Sequence, residues 1–416
     1  MPATNKIVIK ELVNQHFEEA SFLWSQRDLA VTSPVYTLPD LAHLDERVEA
    51  HIDGLRVAGD YGLSLCEAGI EEDEPGTFFV ATIITFESGD KGLINQLMEL
   101  GGSSQTTFRA MVSGLGWMNT RRFNTSIQGM VNAKTVAWRR LGIAACGVRR
   151  VNPRAFLDQA IDSTDLLLKA SALKAAGELK RVDLLPRVQS HLEHEDDACR
   201  FEATRSAILL GDRSALNALS TFVLSFSAFT LPAMQLALRI CDGATARSWL
   251  KAQSRDPEQR HQMLLGTGMT GDPAFIPMLI KQMSRPELAR AAADAFSMIT
   301  GARLAEDRLE GHWPEDFEAI PNDDPADENV EMDADEDLPW PDAELVEHWW
   351  NQHKGAFTPG HRYLAGKPIS PAHCEHVLKT GNQRQRLAAA LELALSGPET
   401  KWFNARANAV WQTKQL

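Results

Sequence analysis

Several short stretches of this chain carry side chains that could ligate a metal ion. His373-Cys374-Glu375-His376 sets two histidines three residues apart with a thiol and a carboxylate between them, donors that suit zinc. The plainer reading there is an exposed helix turn opening at Ser370-Pro371. His348-Trp349-Trp350-Asn351-Gln352-His353 holds two histidines five apart. That spacing does not align on a helix as the i, i+4 spacing of a metal pair does. Here the tryptophans point instead to a helix docked onto its neighbours. Asp333-Ala334-Asp335-Glu336-Asp337 offers oxygen donors for calcium but lacks the mid-loop glycine and terminal glutamate of an EF-hand loop. His16-Phe17-Glu18-Glu19 pairs ionisable groups with no ligand spacing. The five cysteines, Cys66, Cys146, Cys199, Cys241 and Cys374, lie far apart with no CxxC pair. Their odd number and spacing argue against a disulfide framework and a zinc site, and favour a reducing compartment. We find no Gly-rich phosphate loop, GxSxG, HExxH or Cys–His nucleophile pattern. The expectation is a binding protein rather than an enzyme, with no metal, cofactor or small-molecule substrate.

Cations supply the stronger candidate surface. Arg139, Lys169, Arg200 and, more loosely, Arg290 recur at similar places in a repeating pattern, beside basic pairs such as Arg149-Arg150 and Lys180-Arg181. A ladder of this kind suits an acidic protein or a phosphate backbone. The competing reading is salt bridging between repeats. Trp138 adjoins the first rung. Asp333, Asp335, Glu336 and Asp337 form a second candidate partner-binding group, one that could also mimic nucleic acid or fold back on basic residues. The net charge of −14 is local in origin. Glu306 to Glu347 holds 18 Asp or Glu and one Arg, leaving 38 acidic and 41 basic residues elsewhere. The rest is nearly neutral, so overall charge is a weak argument against nucleic acid.

The elements that must position these groups follow a period. Glycines follow alanine-rich, helix-like runs at Gly147, Gly177, Gly211, Gly243, Gly271 and Gly301, in steps of 30, 34, 32, 28 and 30 residues. A recurrence of this length marks stacked helix pairs, with the glycine expected to end a helix. About seven repeats are expected, and the residues resemble the HEAT-repeat pattern over roughly 76–301, an all-α solenoid. Such arrays usually present a binding surface rather than a catalytic pocket. Four segments result: an N-terminal helical cap over 1–75, the repeat array over 76–301, an acidic and proline-bearing linker over 302–342, and a C-terminal helical segment over 343–416. The linker composition reads as poorly ordered, and residues 398–416 as a short appendix. The N-terminus lacks a signal-peptide core and no apolar run approaches the roughly 20 residues of a membrane span, so a cytoplasmic location is expected.

Two end segments carry a closer likeness. They are His16-Phe17-Glu18-Glu19-Ala20-Ser21-Phe22-Leu23-Trp24 with the helix from Leu41 to Arg56, and Gly381 to Ala394 with its Arg384-Gln385-Arg386. With the linker end Asp337-Leu338-Pro339-Trp340-Pro341, they resemble a family of bacterial HEAT-repeat proteins whose genes are often found in type VI secretion clusters, near spike, PAAR-tip or effector genes. The resemblance covers nearly the whole chain and implies no catalytic residues. It implies a protein partner, either a toxin masked by an immunity protein or an effector loaded onto the spike by an adaptor. A HEAT-like nucleic-acid binder is the alternative. Alkylpurine DNA glycosylases of that fold combine basic residues, Trp and Asp, which Trp117, Trp138 and Trp249 would imitate.

Overall fold

The computed structural model describes residues 8–102, 104–314, 317 and 333–416. Among them the protein is all-α and solenoid-like: neighbouring helices pack in chain order, and a single two-stranded hairpin is the only sheet. Packing groups the chain into two units, which cut it differently from the four compositional segments. One unit is Met1–Thr32, Tyr36–Asp212 and Gly397–Leu416; the other is Ser33–Val35 and Arg213–Ser396.

The first unit opens with α1 (Lys10–Ala30), α2 (Leu38–Ala58) and α3 (Asp60–Gly69). Pro39 lies inside the first turn of α2, where its missing N–H costs nothing, and a Thr37–Asp40 capping box starts the helix. Then follow α4 (Pro75–Ser88), α5 (Lys91–Leu100), α6 (Gln105–Trp117), α7 (Thr120–Val131), α8 (Val136–Arg149), α9 (Ala155–Ile161), α10 (Leu166–Glu178), α11 (Leu185–Gln189) and α12 (Asp197–Leu209). The even-numbered helices α4, α6, α8, α10 and α12 stack on one another, and a shorter helix packs beside each of α4, α8, α10 and α12. Stacking this close needs small residues at the crossings. A Cβ at Gly114 would stand 2.8 Å from the Phe79 carbonyl oxygen, and one at Gly177 would stand 2.4 Å from Ser206 Oγ.

The glycine recurrence therefore marks three situations, where the period alone suggested one, and Gly243 is the third: it opens α15, behind the N-cap Asp242, and ends no helix. Gly211, Gly271 and Gly301 do follow helices in the left-handed conformation, with φ of 106°, 68° and 73°. Gly147 and Gly177 instead lie within α8 and α10 as close-approach positions. The left-handed residues after those helices are Arg150 and Lys180.

The second unit contains α13 (Leu216–Val223), α14 (Thr230–Ile240), α15 (Gly243–Gln253), α16 (Arg260–Thr270), α17 (Ile276–Gln282), α18 (Pro286–Thr300) and α19 (Ala343–His353). After these come β1 (Tyr363–Leu364), β2 (Lys367–Pro368), α20 (Pro371–Thr380) and α21 (Gln383–Ser396). Here α14, α16 and α18 stack in the same way. The hairpin lies against their ends: Tyr363 N–H donates to the Gly271 carbonyl at 2.8 Å and Ala365 N–H to that of Met298 at 2.8 Å. Arg362 donates to the carbonyls of Thr270 (2.9 Å) and Arg239 (2.8 Å), satisfying C-terminal acceptors of α16 and α14.

Two expectations are corrected in this region. The described ends of the acidic stretch are packed: Leu304, Leu309 and Leu338 are buried, and Gly311 N–H donates to the Trp340 carbonyl at 2.8 Å. Residues 315, 316 and 318–332, which carry much of its acidity, lie outside the described residues. Nor is the C-terminus an appendix. It completes the first unit, ending in α22 (Ala409–Gln415), which packs on α2.

Candidate functional site

The cation ladder exists in the first unit and has a simple origin. Arg139, Lys169 and Arg200 are each the fourth residue of a stacked helix, α8, α10 and α12. Equivalent positions on stacked repeats fall in register, so one residue type repeated at that position makes a stripe. All three are half-buried. Arg139 has its Nε buried without a hydrogen-bond partner, and the adjoining Arg140 lies 3.7 Å over the Phe108 ring of α6. Lys169 Nζ sits 3.3 Å from His194 Nε2. Arg200 donates to the carbonyls of His194 (2.7 Å) and Glu195 (3.2 Å) and pairs with Asp197. Leu166 and Leu167, at the start of α10, are exposed beside this row. Trp138 is half-buried, edge-on to Phe86 at 6.3 Å.

Segment 191–200 belongs to the ladder's last rung and holds a cluster that the sequence did not single out. His194, Asp196 and Cys199 present ligand atoms that all lie within 4.8 Å of one another. Asp196 caps α12, accepting from Cys199 N–H at 2.8 Å, and its own N–H donates to His194 Nδ1 at 3.0 Å. The Cys199 thiol donates to the Leu166 carbonyl at 3.4 Å, and burial pushes its pKa up to about 12. Burial and nearby cations lower His191, whose ring centroid is 5.8 Å from that of His194. An H-x-D-x-x-C spacing is the signal that could have found the cluster.

Arg150 and Lys180, one member of each of the basic pairs Arg149-Arg150 and Lys180-Arg181, face the first unit's own C-terminal segment. Trp402 lies beneath Arg150 (5.4 Å) and Arg205 (4.8 Å), and its carbonyl accepts from Arg150 Nε at 2.9 Å. Arg150 and Arg205 also flank the buried Glu178 carboxylate, whose pKa they hold down against the upward push of desolvation. Arg27 pairs with buried Asp45 at 2.5 Å and donates to the carbonyls of Arg406 and Ala407. Asp45 in turn accepts from Ala409 N–H at 2.6 Å. Lys180 donates to the carbonyls of Leu209 (2.6 Å) and Gly397 (3.2 Å), and burial lowers its pKa to about 8. These cations hold the fold together.

Beside this segment lies an open cleft of about 540 Å³ lined by Glu46, Glu49, Glu87, Arg56 and Trp117 among others. Arg56 is held there by Glu49, Asp53 and Glu87 at 2.6 to 2.8 Å, and Trp117 donates to Glu49 at 2.5 Å.

In the second unit the acidic candidates divide. Asp335 is buried and faces His261 Nε2 at 2.9 Å, while its carbonyl accepts from Arg290 at 3.0 Å. Asp333 pairs with Arg290. The Arg290 guanidinium also lies 4.6 Å over the Trp340 ring. Asp333 and Asp335 thus anchor their own segment, whereas Glu336 and Asp337 are exposed. Arg290 is turned inward and is no rung of an open ladder. Trp349 docks α19 onto α18, edge-on to Phe296 at 5.6 Å, as the sequence suggested for both tryptophans, whereas the Trp350 ring lies 5.3 Å from that of Phe357. His373 and His376 are not joined by Cys374, which is buried; His373 Nε2 is bonded to the Leu364 carbonyl at 2.7 Å. No helix among the described residues is long and apolar enough to cross a membrane.

A scan of protein-family models, a search of curated proteins and a search of solved structures each found no match.

Proposed function

We propose that this chain is a protein-binding scaffold of a bacterial type VI secretion system, acting in the cytoplasm as an immunity protein that masks an effector or toxin. The observation that carries the binding reading is the row Arg139, Lys169 and Arg200 on three successive stacked helices, with Leu166 and Leu167 exposed beside it. Cations next to exposed leucines suit a protein surface that offers carboxylates around an apolar patch, because apolar anchoring and charge complementarity then act together. A phosphate backbone would use the cations and leave the leucines in water. The secretion setting rests on the likeness of the two end segments, and the adaptor role is the alternative within it. Exposed Glu336 and Asp337 are proposed as a second, acidic contact for a basic region of the partner.

Co-expression with a candidate effector tests this reading. A one-to-one complex that survives size-exclusion chromatography, together with rescue of growth, supports immunity. A complex without rescue supports the adaptor role. Recovery of nucleic acid in place of protein overturns both.

A further inference from the structure

We propose that His194, Asp196 and Cys199 form a transition-metal site of the zinc class at the start of α12, with a fourth place open to water. Three donors of different types converge there within 4.8 Å of one another. Imidazole, carboxylate and thiolate together select a borderline-soft ion such as zinc or cobalt over calcium or magnesium.

The local backbone arranges them. Asp196 accepts from Cys199 N–H at 2.8 Å, which fixes the turn between these two ligands. The Asp196 N–H donates to His194 Nδ1 at 3.0 Å, which holds the ring beside the cluster; a metal taken at Nδ1 must displace this N–H from the single lone pair there. Tetrahedral ligation with bonds of about 2.0–2.3 Å brings donors to about 3.5 Å from one another, so side-chain rotation must close the remaining gap.

On binding, the Cys199 thiol gives up its contact with the Leu166 carbonyl. It releases one proton to solvent, while the carboxylate releases none. A divalent ion with one thiolate and one carboxylate is electrically neutral, which suits a half-buried place. Lys169 is the opposing element: its ammonium stands 3.3 Å from His194 Nε2. Through Lys169 and through Arg200, which holds the His194 and Glu195 carbonyls, the site shares a turn with the cation ladder.

Cobalt(II) titration of the intact protein tests the proposal. We expect one equivalent to bind with a thiolate-to-cobalt charge-transfer band, and calorimetry in buffers of different ionisation enthalpy to show one proton released per ion. Cys199→Ser abolishes the band. Asp196→Asn keeps an N-cap oxygen yet removes an anionic ligand and weakens binding by about tenfold or more, at least the effect of losing an outer partner of a ligand. Lys169→Met tightens binding by removing a like charge. Absence of a thiolate band in the wild-type protein at millimolar cobalt overturns the proposal, as does a band that persists in Cys199→Ser. If Cys199→Ser does not fold, the wild-type proton count and Asp196→Asn still decide it: no proton release, or unchanged affinity, overturns it.

Discussion

Replacing Gly177 by alanine adds one carbon, and that carbon would stand 2.4 Å from Ser206 Oγ and 2.9 Å from Ser206 Cα. The backbone contact cannot be relieved by a rotamer change, so we predict destabilisation of about 1–3 kcal/mol, measured by denaturant unfolding. Gly129→Ala is the control: it lies in α7 with nothing within 4 Å of the added carbon, and helix propensity should stabilise it by up to about 1 kcal/mol. Equal effects at both sites would contradict the close-approach account. Lys180 gives a pH prediction. Its folded pKa, lowered by burial to about 8, lies below its ordinary value of 10.5. Between these values the unfolded chain binds more protons, so this group's contribution to stability rises as pH climbs from about 8 to 10.5. The stability difference between wild type and Lys180→Met should shift toward wild type across that window, and a flat difference would refute it.

At the scale of elements, the C-terminal segment 397–416 is the least expected part. Its sequence shows no long amphipathic run, and its role depends on carbonyls and a tryptophan meeting cations more than 200 residues away in the chain, as Arg150 and Trp402 do. No local pattern encodes such a meeting. Trp402→Ala should destabilise the first unit by about 1–3 kcal/mol, from lost burial and two cation–π contacts. Amide exchange should speed up in 401–409 and at the ends of α8 and α12. Unchanged exchange there would show that the segment is not held as described. The stacked helices, in contrast, were legible: the repeat expected over roughly 76–301 spans the stacks from α4 to α18. Their apolar and small residues recur at helical spacing, a signal carried within each helix. The glycines misled in part, since a helix end and a close crossing both call for the residue without a side chain, and only φ separates them.

For the whole molecule, the period of about thirty residues was enough to establish an all-α stacked architecture. It was not enough to find its sites. Three rungs of the ladder were visible because they repeat with the helices. Arg290 repeats nearly as well but is turned inward by Asp333 and Asp335, a tertiary pairing that spacing cannot show. The His194–Asp196–Cys199 cluster matches no zinc-finger spacing and emerges from the fold of one turn. The measurement that bears most directly on the central claim is the affinity of the proposed effector partner for wild type and for the Arg139→Glu, Lys169→Glu double variant, with thermal stability followed in parallel. We predict that the variant keeps its stability to within about 1 kcal/mol while losing affinity by about tenfold or more, and that wild-type affinity falls with added salt. Undiminished affinity in a folded double variant, or no complex with wild type at any salt concentration, would contradict the account.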